Sequence, residues 1–184
     1  MDQIRALTFD LDDTLWDNRP VLLAAEQKLF AWLTTQNPRF AERFTIESMR
    51  ESRARLIRQH PALAHNMTEL RKASLRQAAD ALGYDQSLVE PAMEVFLEAR
   101  HQISLFDDVI PVLTALRQAG YRLGSMTNGN ADVNRLGLGH LFDFTLSAES
   151  IGKGKPNPEI FAAACQHAHV QPHQLAHIGD DPNT

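Results

Sequence analysis

The stretch IRALTFDLDDT, residues 4–14, sets an apolar run, Ile4 to Phe9, directly before the acidic cluster Asp10-Leu11-Asp12-Asp13-Thr14. A short apolar run bounded by polar residues reads as a buried β-strand. While the chain stays extended, residues two apart point to the same side, so Asp10 and Asp12 can face one crevice. Two carboxylates that close repel unless a cation compensates, and a hard divalent ion with oxygen ligands, Mg2+, is the simplest partner. The alternative is a solvated acidic turn in which Asp12 or Asp13 caps a helix. The strand in front argues against a plain turn, because it sets the acids at the edge where sheets bind ligands.

Tyr121–Met126 (YRLGSM) predicts a second strand, and Phe142–Leu146 and Leu175–Ile178 predict shorter ones. Val109, Val112, Leu113 and Leu116 fall on one helical face that stops at Gly120. A second helix opens at Asn157-Pro158 and aligns Phe161, Ala164, Cys165 and Ala168, which makes Cys165 a core residue. Strands alternating with helices imply parallel pairing. A parallel crossover needs only about a dozen residues, whereas the segment from Trp16 to about Phe106 is far longer and reads as helical. Leu22, Ala25, Leu29 and Leu33 repeat at helical spacing, as do Leu75, Ala78, Ala79 and Leu82, then Val89, Ala92, Met93, Phe96 and Ile103. Gly83 and the neighbourhoods of Pro38 and Pro61 are natural breaks. The expectation is an insertion of helices at the carboxyl end of the first strand, above the crevice where open α/β sheets bind ligands. That is the position of a lid.

Composition narrows the function classes. The 184 residues are 43% apolar and 22% charged, the balance of a globular chain and not of a disordered one. A net charge of −5, with no basic block, excludes a nucleic-acid backbone as partner while leaving small anions open. No apolar run approaches the roughly 18 residues that span a bilayer, and the start MDQIRALTFD lacks a leader pattern. One cysteine cannot form an internal disulfide. The expectation is a cytoplasmic protein with neither a membrane nor a nucleic-acid partner.

Three further polar clusters follow strands. Thr127-Asn128-Gly129 offers a hydroxyl, an amide and backbone donors suited to phosphate oxygens, or a plain Asn-Gly turn. Lys155, before Pro156-Asn157-Pro158, adds a full charge to a helix N-terminus that already favours anions. It is better held than Lys153, although a surface lysine is the ordinary reading. Gly179-Asp180-Asp181 again puts acids past an apolar strand, or forms a turn. Acids for a metal, a nucleophile, phosphate donors and a lysine together are the equipment of phosphoryl transfer.

Taken in order, Asp10-Leu11-Asp12-Asp13-Thr14, Thr127, Lys155-Pro156 and Gly179-Asp180-Asp181 resemble the motifs of the haloacid dehalogenase (HAD) superfamily across nearly the whole chain. The resemblance implies an α/β fold: a Rossmann-like parallel-sheet core, residues 1–15 and 107–184, with an inserted helical-bundle cap domain of the C1 type, residues 16–106. Phe9–Val21, with Thr127-Asn128-Gly129-Asn130 and Lys155-Pro156, is further similar to bacterial flavin mononucleotide phosphatase-like members, some of which hydrolyse a phosphorylated ribityl intermediate. The implied activity is Mg2+-dependent hydrolysis of a small phosphorylated metabolite through an aspartyl-phosphate. Asp10 would be the nucleophile and Asp12 the general acid and base. Thr127 and Lys155 would bind the phosphoryl group, with Asn128 assisting through its backbone donor. Asp10, the backbone carbonyl of Asp12, and Asp180 would hold Mg2+. Beyond Gly179-Asp180-Asp181 the resemblance implies another acid and a closing helix, strand and helix. The sequence ends at Pro182-Asn183-Thr184, so a chain shortened at its carboxyl end is expected.

A phosphomutase would share both acids, and a phospho-accepting signalling domain would share an acid pair, a threonine and a Lys-Pro. The signalling alternative lacks the large helical insert, and a catalytically silent binding protein would not need every one of these side chains. A dehalogenase, attacking carbon, needs no metal and leaves Asp12 without a use. The eight histidines, including His167, His169, His173 and His177, read as structural or surface groups. Trp16 and Trp32 read as packing residues, and Asp17, Asn18 and Arg19 as a flap or a helix cap.

Overall fold

A computed structural model describes residues 3–182 of the chain. Asn183 and Thr184, on which the shortened-chain expectation rests, lie outside the described residues, as do Met1 and Asp2 of the leader reading. Strand β1 (Ala6–Phe9) is followed by α1 (Asn18–Gln36), α2 (Arg39–Arg43), α3 (Ile46–Gln59), α4 (Met67–Leu82) and α5 (Val89–Arg100). The chain continues through α6 (Val109–Gln118), β2 (Arg122–Thr127), β3 (Phe144–Ser147), α7 (Ala148–Ile151), α8 (Pro158–Ala168) and β4 (Leu175–Ile178). It divides into two compact units. One runs through Asn18 and resumes at Ile103, and the other is Arg19–Gln102. No helix among the described residues is long and apolar enough to cross a membrane.

The first unit is the parallel sheet expected from the sequence, in the order β3-β2-β1-β4. Its registers pair Phe9 with Ser125 and with Ile178, and Thr127 with Ser147. The chain leaves β1 toward β2 and β3 and returns to the other side of β1 as β4. The strand order therefore reverses between β1 and β4, where open α/β sheets form their binding crevice. Helix α8 begins as the Asn157-Pro158 pair dictates: the Asn157 side chain accepts from the Glu159 N–H at 3.0 Å and proline occupies the first turn. Its Ile160, Ala164 and Ala168 pack with Ala6, Met126, Phe144 and Leu146 into one buried cluster. Cys165 is buried on the same helix. On α6, Val109 and Leu113 are buried but Val112 is 45% exposed. The expected four-residue stripe is thus narrower than its periodicity implied, because the helix is covered along a single ridge.

The helical unit has its own core, in which Ala25, Leu29, Leu33, Phe40, Leu75, Leu82, Met93 and Phe96 are all buried. Burying each large apolar side chain contributes roughly 1.5–3 kcal/mol. Ile103 does not join the α5 stripe, since that helix ends at Arg100 and His101 departs from helical geometry with φ −94° and ψ 7°. Periodicity did not foresee the charged seam between the helices. Glu26 of α1 is buried and ion-paired with Arg50 at 2.5 Å, with Arg53, and with Arg71 at 3.6 Å. The Arg71 guanidinium also lies 3.6 Å over the Phe96 ring. Burial, then the neighbouring Arg53 charge, lowers the Arg71 pKa to about 9.

Gly124, inside β2, meets Phe144 so closely that a Cβ there would stand 2.3 Å from the ring. Gly124→Ala should therefore destabilise the protein by about 1–3 kcal/mol through overpacking, measured by urea unfolding. Adding Phe144→Leu should recover part of the loss, and an unchanged midpoint in the single variant would contradict the steric account.

Candidate active site

Asp10 leaves the end of β1 with its N–H donating to the Ile178 carbonyl at 2.8 Å, which extends the β1–β4 pairing by one step. Its carboxylate is held on both oxygens: the Leu11 N–H donates to Oδ1 at 2.8 Å and Lys155 Nζ to Oδ2 at 2.9 Å. The Lys155 side chain is 1% exposed and that of Asp10 15%. Removing one partner of so enclosed a pair strands the other charge, so the two side chains hold one another in place.

Lys155 reaches this position because its own peptide is gripped. Asn128, following β2, accepts from the Lys155 N–H on Oδ1 at 2.7 Å and donates from Nδ2 to the Lys155 carbonyl at 2.9 Å. Gly154 makes room for the clamp, since a Cβ there would lie 2.6 Å from Asn128 Oδ1. The Asn128 side chain is thus committed to the lysine. Thr127 is buried at the end of β2, and its Oγ1 accepts from the Gly129 N–H at 2.9 Å, which folds the Thr-Asn-Gly stretch into a tight turn. Lys153 is exposed and takes no part.

The acidic run does not stay extended beyond Asp10. Leu15 N donates to the Leu11 carbonyl at 2.9 Å, which closes a turn over Leu11 to Leu15. Asp12, inside that turn, forms an isolated parallel bridge with Trp16. The next acid serves as a cap: Asp13, at φ 60°, accepts on Oδ1 from the Asn18 N–H at 2.9 Å, at the start of α1. Asp180 follows β4 two residues past Ile178, is exposed, and makes no hydrogen bond or ion pair to a described residue.

No group of three or more His, Cys, Asp or Glu side chains among the described residues forms a metal cage. The set implied for Mg2+ contains only two side chains, Asp10 and Asp180, with the Asp12 carbonyl as third donor. These are all oxygen donors, and Asp180 is exposed two residues past the end of β4, so the chemistry of the residues present fits a hard divalent ion.

One residue of the cluster was read differently from the sequence. His177, on β4 beside Thr8 of β1, is half-buried and packs edge-on against Phe161. Its Nδ1 lies 2.9 Å from Thr8 Oγ1 and its Nε2 3.3 Å from Lys155 Nζ. Burial, then the Lys155 charge, lowers its pKa, opposed by the Asp10 charge and the bond to Thr8. The signal available was a polar residue one place before the end of each of two apolar strands, Thr8 and His177, but only the parallel register makes them neighbours. His167 and His169 keep structural places. His167 stacks on Phe144, and His169 ends α8 in the left-handed conformation at φ 54°.

A family model described as a haloacid dehalogenase-like hydrolase matches residues 4–184. Over 99% of its length the chain is 32% identical to the 5-amino-6-(5-phospho-D-ribitylamino)uracil phosphatase YigB of Escherichia coli (strain K12), covering 77% of that protein. It is 31% identical over 96% of its length to the glyceraldehyde 3-phosphate phosphatase of Methanopyrus kandleri, covering 76% of it. A crystal structure titled 2-haloacid dehalogenase, from Pseudomonas syringae pv. Tomato DC3000, superposes with a TM-score of 0.92 at 42% identity, over 98% of this chain and 80% of that one.

The lowered His177 pKa makes a stability prediction. An unfolded histidine titrates near about 6.5. The folded one titrates lower, so below about 6.5 the unfolded chain binds more protons and stability falls with pH. His177→Gln lacks that titration, so the wild-type advantage in melting temperature over the variant should shrink as pH falls from about 7.5 to about 5.5. An advantage that grew on acidification would reverse the assignment.

Proposed function

Because the chain belongs to the haloacid dehalogenase-like hydrolases, we propose that it is a phosphatase cleaving small phosphate monoesters through a phosphorylated Asp10. The observation that carries this reading is the enclosed pair of Asp10 with Lys155, clamped by Asn128, at the sheet's switch point. The pairing supports Asp10 as the nucleophile and Lys155 as the cation that meets the group transferred.

In the first step an Asp10 oxygen attacks phosphorus and the ester P–O bond breaks, with Asp12 giving its proton to the departing alkoxide. In the second, Asp12 takes a proton from water, the water oxygen attacks phosphorus, and phosphate leaves as the Asp10 carboxylate is restored. Thr127 and Lys155 hold the phosphoryl oxygens throughout, with the Asn128 backbone assisting. Asp10, the Asp12 carbonyl and Asp180 would hold Mg2+. When bound, that ion neutralises the charge brought together by a carboxylate and a phosphate. We assign choice of substrate to the helical unit, as the C1-type cap that the resemblance implies. For the substrate itself, the name of the E. coli relative supports a phosphorylated ribityl compound, the ribitylaminouracil phosphate or flavin mononucleotide.

The likeness to a structure titled 2-haloacid dehalogenase supports a second reading, in which Asp10 attacks a halogen-bearing carbon. Asp12 and Asp180 favour the phosphatase, since carbon-centred displacement has no use for a proton donor to an alkoxide or for a metal-binding carboxylate.

Phosphate release from phosphorylated metabolites with Mg2+ should exceed halide release from 2-halopropionates, and Asp10→Asn should lower kcat by about a thousandfold or more. Halide release without phosphate release, or full turnover by Asp10→Asn, would overturn the reading. Asp180→Asn should raise the Mg2+ concentration for half-maximal activity by about tenfold, measured by metal titration. An unchanged titration would remove Asp180 from the ligand set.

A further inference from the structure

Thr8, His177 and Lys155 form a continuous line of polar atoms through otherwise apolar packing. Thr8 is fully buried and Lys155 nearly so, while His177 is half-buried. In a β-strand residues two apart share a face, so Thr8 and Asp10 lie on the same side of β1, and the parallel register sets His177 of β4 against Thr8. The polarity of the line follows from which groups can only donate. A lysine ammonium paired with a carboxylate carries donors alone, so at the 3.3 Å contact His177 Nε2 accepts. A neutral imidazole whose Nε2 accepts carries its proton on Nδ1. That proton points at Thr8 Oγ1, 2.9 Å away, and the Thr8 hydroxyl passes its own hydrogen to the Ala176 carbonyl at 3.5 Å. Both the imidazole and the hydroxyl proton then have an acceptor, and the reverse tautomer would set an N–H against an ammonium.

We propose that His177, with its tautomer set by Thr8, is a positioning residue that orients the Lys155 ammonium. One Lys155 proton is directed to Asp10 Oδ2 and one to His177 Nε2, which leaves the third for an oxygen of the phosphoryl group. Without the imidazole acceptor, the ammonium keeps its pair with Asp10 but rotates about its last bond, so the third proton no longer has a defined direction. The assignment deepens the proposed phosphatase site and rests on it for its effect on turnover, although the hydrogen bonds themselves do not depend on the reaction.

The test has two arms on the 184-residue chain. In the first, turnover of p-nitrophenyl phosphate with Mg2+ is compared for wild type, His177→Leu, His177→Gln and Thr8→Val. Losing one charge-assisted bond in the transition state corresponds to a loss of about tenfold in kcat. That loss is expected in His177→Leu, with KM changed by less than about threefold. His177→Gln, whose amide oxygen can take the place of Nε2, should recover to within about threefold of wild type. Thr8→Val should fall between the two. Equal kcat in wild type and His177→Leu, or an equal loss in the Leu and Gln variants, overturns the positioning role. In the second arm, the 15N resonances of the His177 ring are read at neutral pH, and they should show Nδ1 protonated and Nε2 bare. A protonated Nε2 overturns the relay even if no phosphate ester is turned over. Absence of turnover in wild type with the expected tautomer would remove the phosphatase reading and the positioning role in turnover with it, leaving only the hydrogen-bond line.

Discussion

An ammonium group with almost no access to water is tolerated only where opposite charge and acceptors surround it, and Lys155 is such a group. Its side chain meets Asp10 Oδ2 on one side and the His177 imidazole on the other, while its peptide is gripped from both ends by Asn128. Each contact comes from a different element: the end of β1, the turn after β2, and the middle of β4. Desolvating the lysine is costly, so these elements must arrive in register for the pair to form. The sheet meets that demand through its pairings of Phe9 with Ser125 and with Ile178.

The same constraint organises the neighbouring residues. Asn128 holds the lysine that pairs with Asp10, and its amide dipoles are spent on the Lys155 backbone. Gly154 has no side chain because the clamp occupies the space a methyl would take. Asp13 caps the start of α1, its Oδ1 accepting from the Asn18 N–H. Acid count is what separates the reaction classes that this architecture hosts. A single carboxylate suffices to attack carbon, whereas phosphoryl transfer also needs a proton carrier and oxygen ligands for a cation.

The helical unit follows a different physical logic. Its stability comes from stripes of alanine, leucine and phenylalanine on five helices, with one carboxylate, Glu26, drawing together arginines from α3 and α4. Arg71 satisfies part of its buried charge on the face of Phe96, an interaction that depends on ring orientation. A periodic pattern reports which residues are covered and is silent on such pairings. The substrate-selecting side chains proposed for this unit are hidden from the sequence for the same reason.

The amino-acid sequence alone determined the α/β class, the strand at Leu175–Ile178, the helix opening at Asn157-Pro158, and the order of four polar clusters behind apolar runs. These depend on local periodicity, capping chemistry and a motif order read along the chain. Only the tertiary structure decided that Asn128 serves Lys155, that Val112 faces solvent, and that His177 belongs with the lysine. Each of those facts depends on atoms far apart in the chain. Thr8 and His177 are separated by most of the molecule's length, and parallel registration of two strands is what makes them touch. Periodicity describes a residue's environment within its own element; the identity of a hydrogen-bond partner is a property of the packed whole.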